Sequence, residues 1–162
     1  MVDAGVCYGR TDLDVTPAFE SEASAAHSVL PPFDRIVTSP LIRCRKLADF
    51  IGRRSRLEVE EDARLQEMDF GTWEGQAWSA IPRSEINEWA ADFYNARPHG
   101  GESVAMLQAR ARDALRTLRD SGPSTLIVTH AGVIRSALAN GQTAEDFNSH
   151  IDYGGFVAIS NA

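Results

Sequence analysis

The alternation of apolar and polar positions predicts short buried strands that each lead directly into a helix. In the clearest case an apolar and β-branched run at residues 126–129 ends at His130, and helical spacing follows as far as Arg135. Residues 35–38 form a second short apolar strand, and a helix with one apolar face begins near Ser39. The chain therefore contains at least two strand–turn–helix units, which are the building blocks of parallel sheets.

Helical spacing also marks further segments, and a last apolar run predicts a terminal strand. The helices are expected at 16–29, 78–81, 84–94, 103–118 and 144–147, and the strand at 155–160. The arginines of the 103–118 helix are most simply a solvated face: Arg110, Arg112, Arg116 and Arg119. The element order indicates an α/β fold, a three-layer α/β/α domain with a mostly parallel sheet. Three strands are few for such a domain, so we expect a further strand to belong before residue 1.

Composition narrows the class of protein. With 162 residues and 43% hydrophobic content, the chain is expected to form a single domain over residues 1–162. A net charge of −7 argues against a general nucleic-acid partner, and no apolar run is long enough to span a membrane. Its two cysteines, Cys7 and Cys44, suit neither a disulfide framework nor a metal site, which favours a reducing, cytoplasmic location.

Several polar side chains are candidates for chemistry because they follow predicted strands or lie in polar loops. His130 ends a strand at the edge where open α/β sheets bind ligands, and Arg43 lies one turn into the next unit's helix, where its guanidinium suits a phosphoryl group. Glu67 could donate a proton if partial burial raises its pKa. The alternatives stay open at this point: a turn histidine, a surface arginine and a solvated carboxylate. Further candidates are Gly9 and Arg10 in the first loop, Ser39 and Glu74.

Six segments together carry a resemblance to a known family. They are VCYGRTDLDVT at 6–16, IVTSPLIRCRKLA at 36–48, LQEMDFGTWEG at 65–75, HGGES at 99–103, VTHAGVIR at 128–135 and IDYG at 151–154. In this order they resemble the histidine phosphatase superfamily, with its phosphoglycerate mutase-like fold. Within it the chain is most similar to the α-ribazole phosphatase and small broad-specificity phosphatase branch. Each segment alone is weak, but the set is specific and covers nearly the whole chain.

The resemblance implies hydrolysis of phosphate monoesters, without metal or cofactor, through a phosphohistidine. Arg43 would clamp the phosphoryl oxygens, Glu67 would protonate the leaving oxygen, and His130 would donate to the phosphoryl group. Gly9, Arg10, Ser39 and Gly132 would border the substrate. The small phosphorylated substrate would be α-ribazole 5′-phosphate, a sugar phosphate or a broader range of monoesters.

One family feature is absent from the sequence: the first strand with its R-H-G motif, which carries the attacking histidine. His99 precedes Gly-Gly-Glu-Ser and matches a different family segment, and Cys7 lacks the arginine that a cysteine phosphatase loop needs six residues later. Two interpretations stay open, a start assigned too far downstream or a shortened homologue that binds phosphorylated ligands or a partner without turnover. In either case a missing central strand would leave open sheet edges, through which the chain could form a homo-oligomer.

Overall fold

The structure is a computed structural model that describes residues 5–159. Its regular elements are helices and strands, with 3₁₀ turns at Ala63–Leu65, Gly71–Trp73 and Ala144–Phe147. The bounds of the longer elements are α1 Phe19–Val29, β1 Arg35–Thr38, α2 Ile42–Ser55, β2 Val59–Glu61, α3 Arg83–Ala91, α4 Val104–Asp120, β3 Thr125–Val128 and α5 Ala131–Leu138. No helix within residues 5–159 is both long and apolar enough to cross a membrane.

The strands form one parallel sheet in the order β2-β1-β3. Thr38 is in register with Val128, so the residues that follow β1 and β3 emerge side by side at the same edge. This register places Ser39 next to the start of α5, and the amide of Ser39 donates to the Val128 carbonyl at 2.9 Å. The sheet therefore brings the two strand–turn–helix units to one carboxyl edge, where α/β folds bind ligands.

Helices cover both faces of the sheet, which makes the three-layer arrangement. Adjacent residues of β1 point to opposite faces, and Ile36 and Val37 are 0% and 2% exposed. Ile36 packs in a cluster with α1 and α2, whereas Val37 packs with α4, α5 and the loop residue Leu65. Two apolar clusters on either side of one central strand therefore fix the orientation of the sheet.

Two predicted elements differ from the structure. The strand expected at 155–160 does not form over residues 155–159, and Ser160 lies outside the described residues. Pairing with a neighbour is what stabilises a strand, and among residues 5–159 the outer edge of β3 has no strand partner. The third strand is instead β2, in the acidic stretch around Glu60. The helix expected at 78–81 does not form, and these residues make turns instead. Trp78 in this segment packs edge-on against Trp73, with ring centres 6.1 Å apart.

Candidate active site

His130 lies buried at the carboxyl end of β3, directly before α5. Its ring is 7% exposed, and Nε2 lies 2.8 Å from Ser39 Oγ and 3.5 Å from Cys44 Sγ. Burial first, and then the positive charges of Arg43 and Arg110, lower the pKa of His130 from 6.5 to about 3. The imidazole is therefore neutral near pH 7, with Ser39 held beneath it.

Arg43 is the second residue of α2, and its guanidinium reaches back over the loop before the first helix. It donates to the carbonyls of Thr11 and Gly9 at 2.9 and 2.7 Å, and lies over the Tyr8 ring at 5.7 Å. A guanidinium has five N–H donors in a planar fork, so donors remain for an anion after these contacts. The loop thus orients Arg43 for the pocket.

Glu67 meets the N-terminus of α5 at a position where the helix carries a glycine. Its Oε2 accepts from the Gly132 amide at 3.1 Å, and its Oε1 accepts from the Met68 amide at 2.9 Å. A Cβ added to Gly132 would stand 2.1 Å from Oε1, so any larger residue would displace the carboxylate. Because Gly132 has no side chain, the Glu67 carboxylate can lie directly against the backbone of α5.

A second carboxylate, Glu74, fastens the first loop to the 70–74 turn. It accepts from the amides of Arg10, Thr11 and Phe70 at 2.9, 2.6 and 3.2 Å, and from the Thr11 hydroxyl. Burial alone would raise the pKa of Glu74, but these hydrogen bonds outweigh it and lower that pKa. Close packing continues at Gly9, where a Cβ would stand 1.8 Å from the Met68 carbonyl oxygen.

The side chain of Arg10 points to carboxylates. It lies 3.6 Å from Asp69 and 3.4 Å from Glu102, so its charge is already compensated. Glu102 pairs in turn with Arg110, whose side chain is only 16% exposed. The prediction that Arg110 belongs to a solvated face is therefore wrong. Helical spacing held a signal for this, because position 110 lies beside the buried Leu107 and Ala114.

The other histidines lie away from His130. His99 is 1% exposed between the rings of Trp73 and Phe70, and its Nδ1 accepts from the Gly101 amide at 3.0 Å. His27 lies 3.4 Å from the Ser55 hydroxyl, and His150 is exposed beside Asp152. All four histidines of the chain are among residues 5–159, and only His130 lines the cavity described next. Within the same residues, no group of His, Cys, Asp or Glu is arranged to hold a metal ion.

A groove of about 990 Å³ follows the outer edge of β3, which has no strand partner within residues 5–159. Its apolar walls come from α4, β3, α5 and the segment 155–159, in which Phe156 and Ile159 are 46% and 50% exposed. The polar lining of the groove includes the candidate site residues Arg43, Glu67 and His130, together with Tyr8, which the sequence did not single out. The structure thus brings Arg43, Glu67 and His130 to one cavity, and Gly132 contacts Glu67 from between the lining residues Ala131 and Val133. Ser39 lies buried under His130, and Arg10 is bound to carboxylates.

Comparison with known proteins connects this arrangement to one family. The model of the histidine phosphatase superfamily (branch 1) matches residues 2–159. A putative phosphoserine phosphatase 2 of Hydrogenobacter thermophilus is 28% identical over 97% of the chain and 82% of its own length. An adenosylcobalamin/alpha-ribazole phosphatase of Salmonella typhimurium is 27% identical over 84% of the chain and 71% of its own length.

A solved structure supports the same connection. The native structure of a mycobacterial glucosyl-3-phosphoglycerate phosphatase superposes with a TM-score of 0.74 at 29% identity, covering 90% of this chain and 78% of the other. The glucosyl-3-phosphoglycerate phosphatase of Mycobacterium tuberculosis is 31% identical over 81% of the chain, which spans 65% of that protein's length.

Proposed function

The chain belongs to the histidine phosphatase superfamily. We therefore propose that its groove binds a small phosphate monoester and that the reaction of the site is hydrolysis of that ester. The observation that carries the proposal is the convergence of Arg43, Glu67 and His130 on one cavity at the carboxyl edge of the sheet. They offer a cationic fork, a carboxyl group and a buried imidazole. These are the groups that positioning and charge stabilisation at a phosphoryl group require.

In the proposed reaction each group has a defined role. Arg43 binds the phosphoryl oxygens with the N–H donors that do not contact Gly9 and Thr11. Glu67 gives its proton to the leaving oxygen as a histidine from a further segment forms the new N–P bond and the P–O bond breaks. It later removes a proton from the water that attacks phosphorus and frees phosphate from that histidine. His130 is neutral and supplies an N–H to the phosphoryl group.

Substrate identity is the finer part of the proposal. The relatives are named for different phosphate esters, a phosphoserine, an α-ribazole and a glucosyl-3-phosphoglycerate. We favour α-ribazole 5′-phosphate or a sugar phosphate. A comparison of turnover with these esters against phosphoserine tests this choice.

The attacking histidine of the family mechanism is the open part of the site. None of the chain's other three histidines lines the groove, so formation of a phosphohistidine would need a histidine from a further segment. We place such a segment in the groove beside β3 and His130, because a strand edge without a partner, as at β3 within residues 5–159, accepts another strand. The rival candidate is a homologue that binds phosphorylated ligands without turnover. That rival is favoured because, among residues 5–159, His130 is the one histidine that lines the groove.

One experiment separates these functions. The chain is assayed with p-nitrophenyl phosphate without metal and with a chelator, and its melting temperature is measured with phosphate and with orthovanadate. Arg43→Met should abolish anion-induced stabilisation, whereas Arg45→Met on the same helix should preserve it because Arg45 is half exposed and pairs with Glu61. Metal-independent turnover supports the hydrolase, and Arg43-dependent stabilisation without turnover supports the binding homologue. An absence of both contradicts the proposal.

Because the outer edge of β3 has no strand partner in the part of the chain that the structure describes, we also propose self-association. Light scattering at increasing protein concentration tests it, and a strictly monomeric chain would contradict it. The proposal further includes a reducing, cytoplasmic location, which the two buried free thiols Cys7 and Cys44 favour.

A further inference from the structure

Arg110 on α4 and Glu102 just before it form a nearly buried ion pair outside the groove. Their side chains are 16% and 11% exposed. The pair is bidentate, since Arg110 Nε donates to Oε1 at 2.7 Å and one terminal nitrogen donates to Oε2 at 2.8 Å. Such geometry fixes both the direction and the distance of the guanidinium.

The remaining donors of Arg110 hold the backbone of the loop that carries Glu67. They reach the carbonyls of Arg64, Gln66 and Glu67 at 2.8, 2.6 and 2.9 Å. Three carbonyls within four residues therefore converge on one side chain. Since the Glu67 carbonyl is one of them, the starting point of the Glu67 side chain is set by Arg110.

Glu102 extends the same contacts to the first loop. Its Oε2 accepts from the Asp69 amide at 3.1 Å, and its Oε1 lies 3.4 Å from the guanidinium of Arg10. The backbone adds another link, because the Glu102 amide donates to the Asp69 carbonyl at 2.8 Å. One carboxylate thus connects α4, the 64–69 loop and the loop beneath Arg43.

We propose that Arg110 and Glu102 are a positioning pair that sets where the Glu67 carboxylate meets Gly132 and the groove. Neither side chain lines the groove, so both act through the backbone that they hold. The role of Glu67 as proton donor rests on the proposed function. The positioning itself rests on the contacts above.

The Gly132 amide reports this positioning directly. It lies in the first turn of α5, where amides have no partner inside the helix, and the Glu67 carboxylate accepts its hydrogen bond. We therefore compare hydrogen exchange at Gly132 in the whole chain, in Arg110→Met and in Arg110→Lys. Arg112→Met is the matched control, because Arg112 lies on the same helix and donates to the Ala139 carbonyl instead.

Arg110→Met should speed exchange at Gly132 at least about tenfold relative to the buried amide of Ala114 in α4, since several charged hydrogen bonds are lost. Lysine keeps the charge but has no planar fork to span three carbonyls and a carboxylate, so Arg110→Lys should restore only part of the protection. Arg112→Met should leave the ratio unchanged. Equal exchange at Gly132 in Arg110→Met and Arg112→Met would overturn the inference, even if Arg110→Met lowers global stability.

If the wild-type chain turns over p-nitrophenyl phosphate, the kcat and KM of the variants provide a second test. Arg110→Met should then lower kcat by roughly tenfold or more with little change in KM, because displacing a proton donor weakens the transition state more than substrate binding. A rise in KM alone would contradict positioning. If the wild type shows neither turnover nor phosphate-induced stabilisation, the proposed function fails, while the exchange ratio still decides the role of the pair.

Discussion

The carboxylate of Glu74 offers the sharpest test of how the first loop is held. It accepts four hydrogen bonds, three from backbone amides and one from the Thr11 hydroxyl. Glu74→Gln keeps the size of the side chain. Its NH₂ group replaces the oxygen that accepts from the Thr11 amide and hydroxyl, and a donor cannot accept these two hydrogen bonds. About half of the interactions are therefore lost.

The magnitude follows from these contacts. A hydrogen bond to an ionised group contributes about 1.5–3 kcal/mol, and partial exposure reduces that value. We expect Glu74→Gln to lower the free energy of unfolding by about 2 kcal/mol at pH 7. For a domain of this size the melting temperature should fall by roughly 4–8 °C.

The pH dependence has a definite sign. Because the folded pKa of Glu74 lies below its ordinary value of 4.5, the stabilisation is present above that pH and is lost as the pH falls through the folded pKa. Urea unfolding of both proteins from pH 7 to pH 3 should therefore show their difference shrinking below about pH 4.5. Glu61→Gln is the control, since Glu61 is exposed and, within residues 5–159, has Arg45 as its ion-pair partner. A difference below about 0.5 kcal/mol at pH 7, or one that does not vary with pH, would refute this reasoning.

Three further predictions concern the groove and the buried thiols. Gly132→Ala should keep its melting temperature within a few degrees, because alanine favours helix by up to about 1 kcal/mol. A crystal structure of this variant should show the Glu67 carboxylate displaced, because its present position lies 2.1 Å from the new Cβ. Wild-type stability should fall as the pH drops from about 6.5 toward 3, because only the unfolded state protonates His130 over that range, and urea midpoints of His130→Asn should lack this part of the slope. Cys7 and Cys44 are buried with pKa values raised to about 12, so iodoacetamide at pH 8 should label neither until urea is added, as read by mass spectrometry.

Local patterns predicted the parts of the fold that local interactions determine. The strand at 35–38 is confirmed, and the strand of the unit around His130 forms at Thr125–Val128, one residue earlier than the apolar run at 126–129. Parallel register then explains why residues far apart in sequence, such as Ser39 and His130, become neighbours. For the site, the sequence proposed Arg43, Glu67 and His130, and the structure brings these three to one cavity, while their roles remain predictions.

The failures arose where the outcome depends on distant partners. Residues 155–159 have strand-forming composition, but a strand forms only against a neighbour, and none is available in the described part of the chain. Arg110 was assigned to solvent on its charge, although it lies beside the buried Leu107 and Ala114, because its partners are carbonyls 43–46 residues earlier. Backbone carbonyls are present at every residue, so their convergence on one guanidinium is visible only in three dimensions.

The two carbonyls that hold Arg43 give anion binding a thermodynamic consequence. Gly9 and Thr11 occupy donors of the same guanidinium that would receive a phosphate, so the order of the first loop and the affinity for the anion share one side chain. The two equilibria, ordering of the loop and binding of the anion, are linked. If the anion changes the equilibrium constant for loop ordering by some factor, an ordered loop changes the affinity for the anion by the same factor. Under the proposed function, the order of the first loop is therefore linked to anion occupancy through Arg43, without any need for the loop's own side chains to contact the anion.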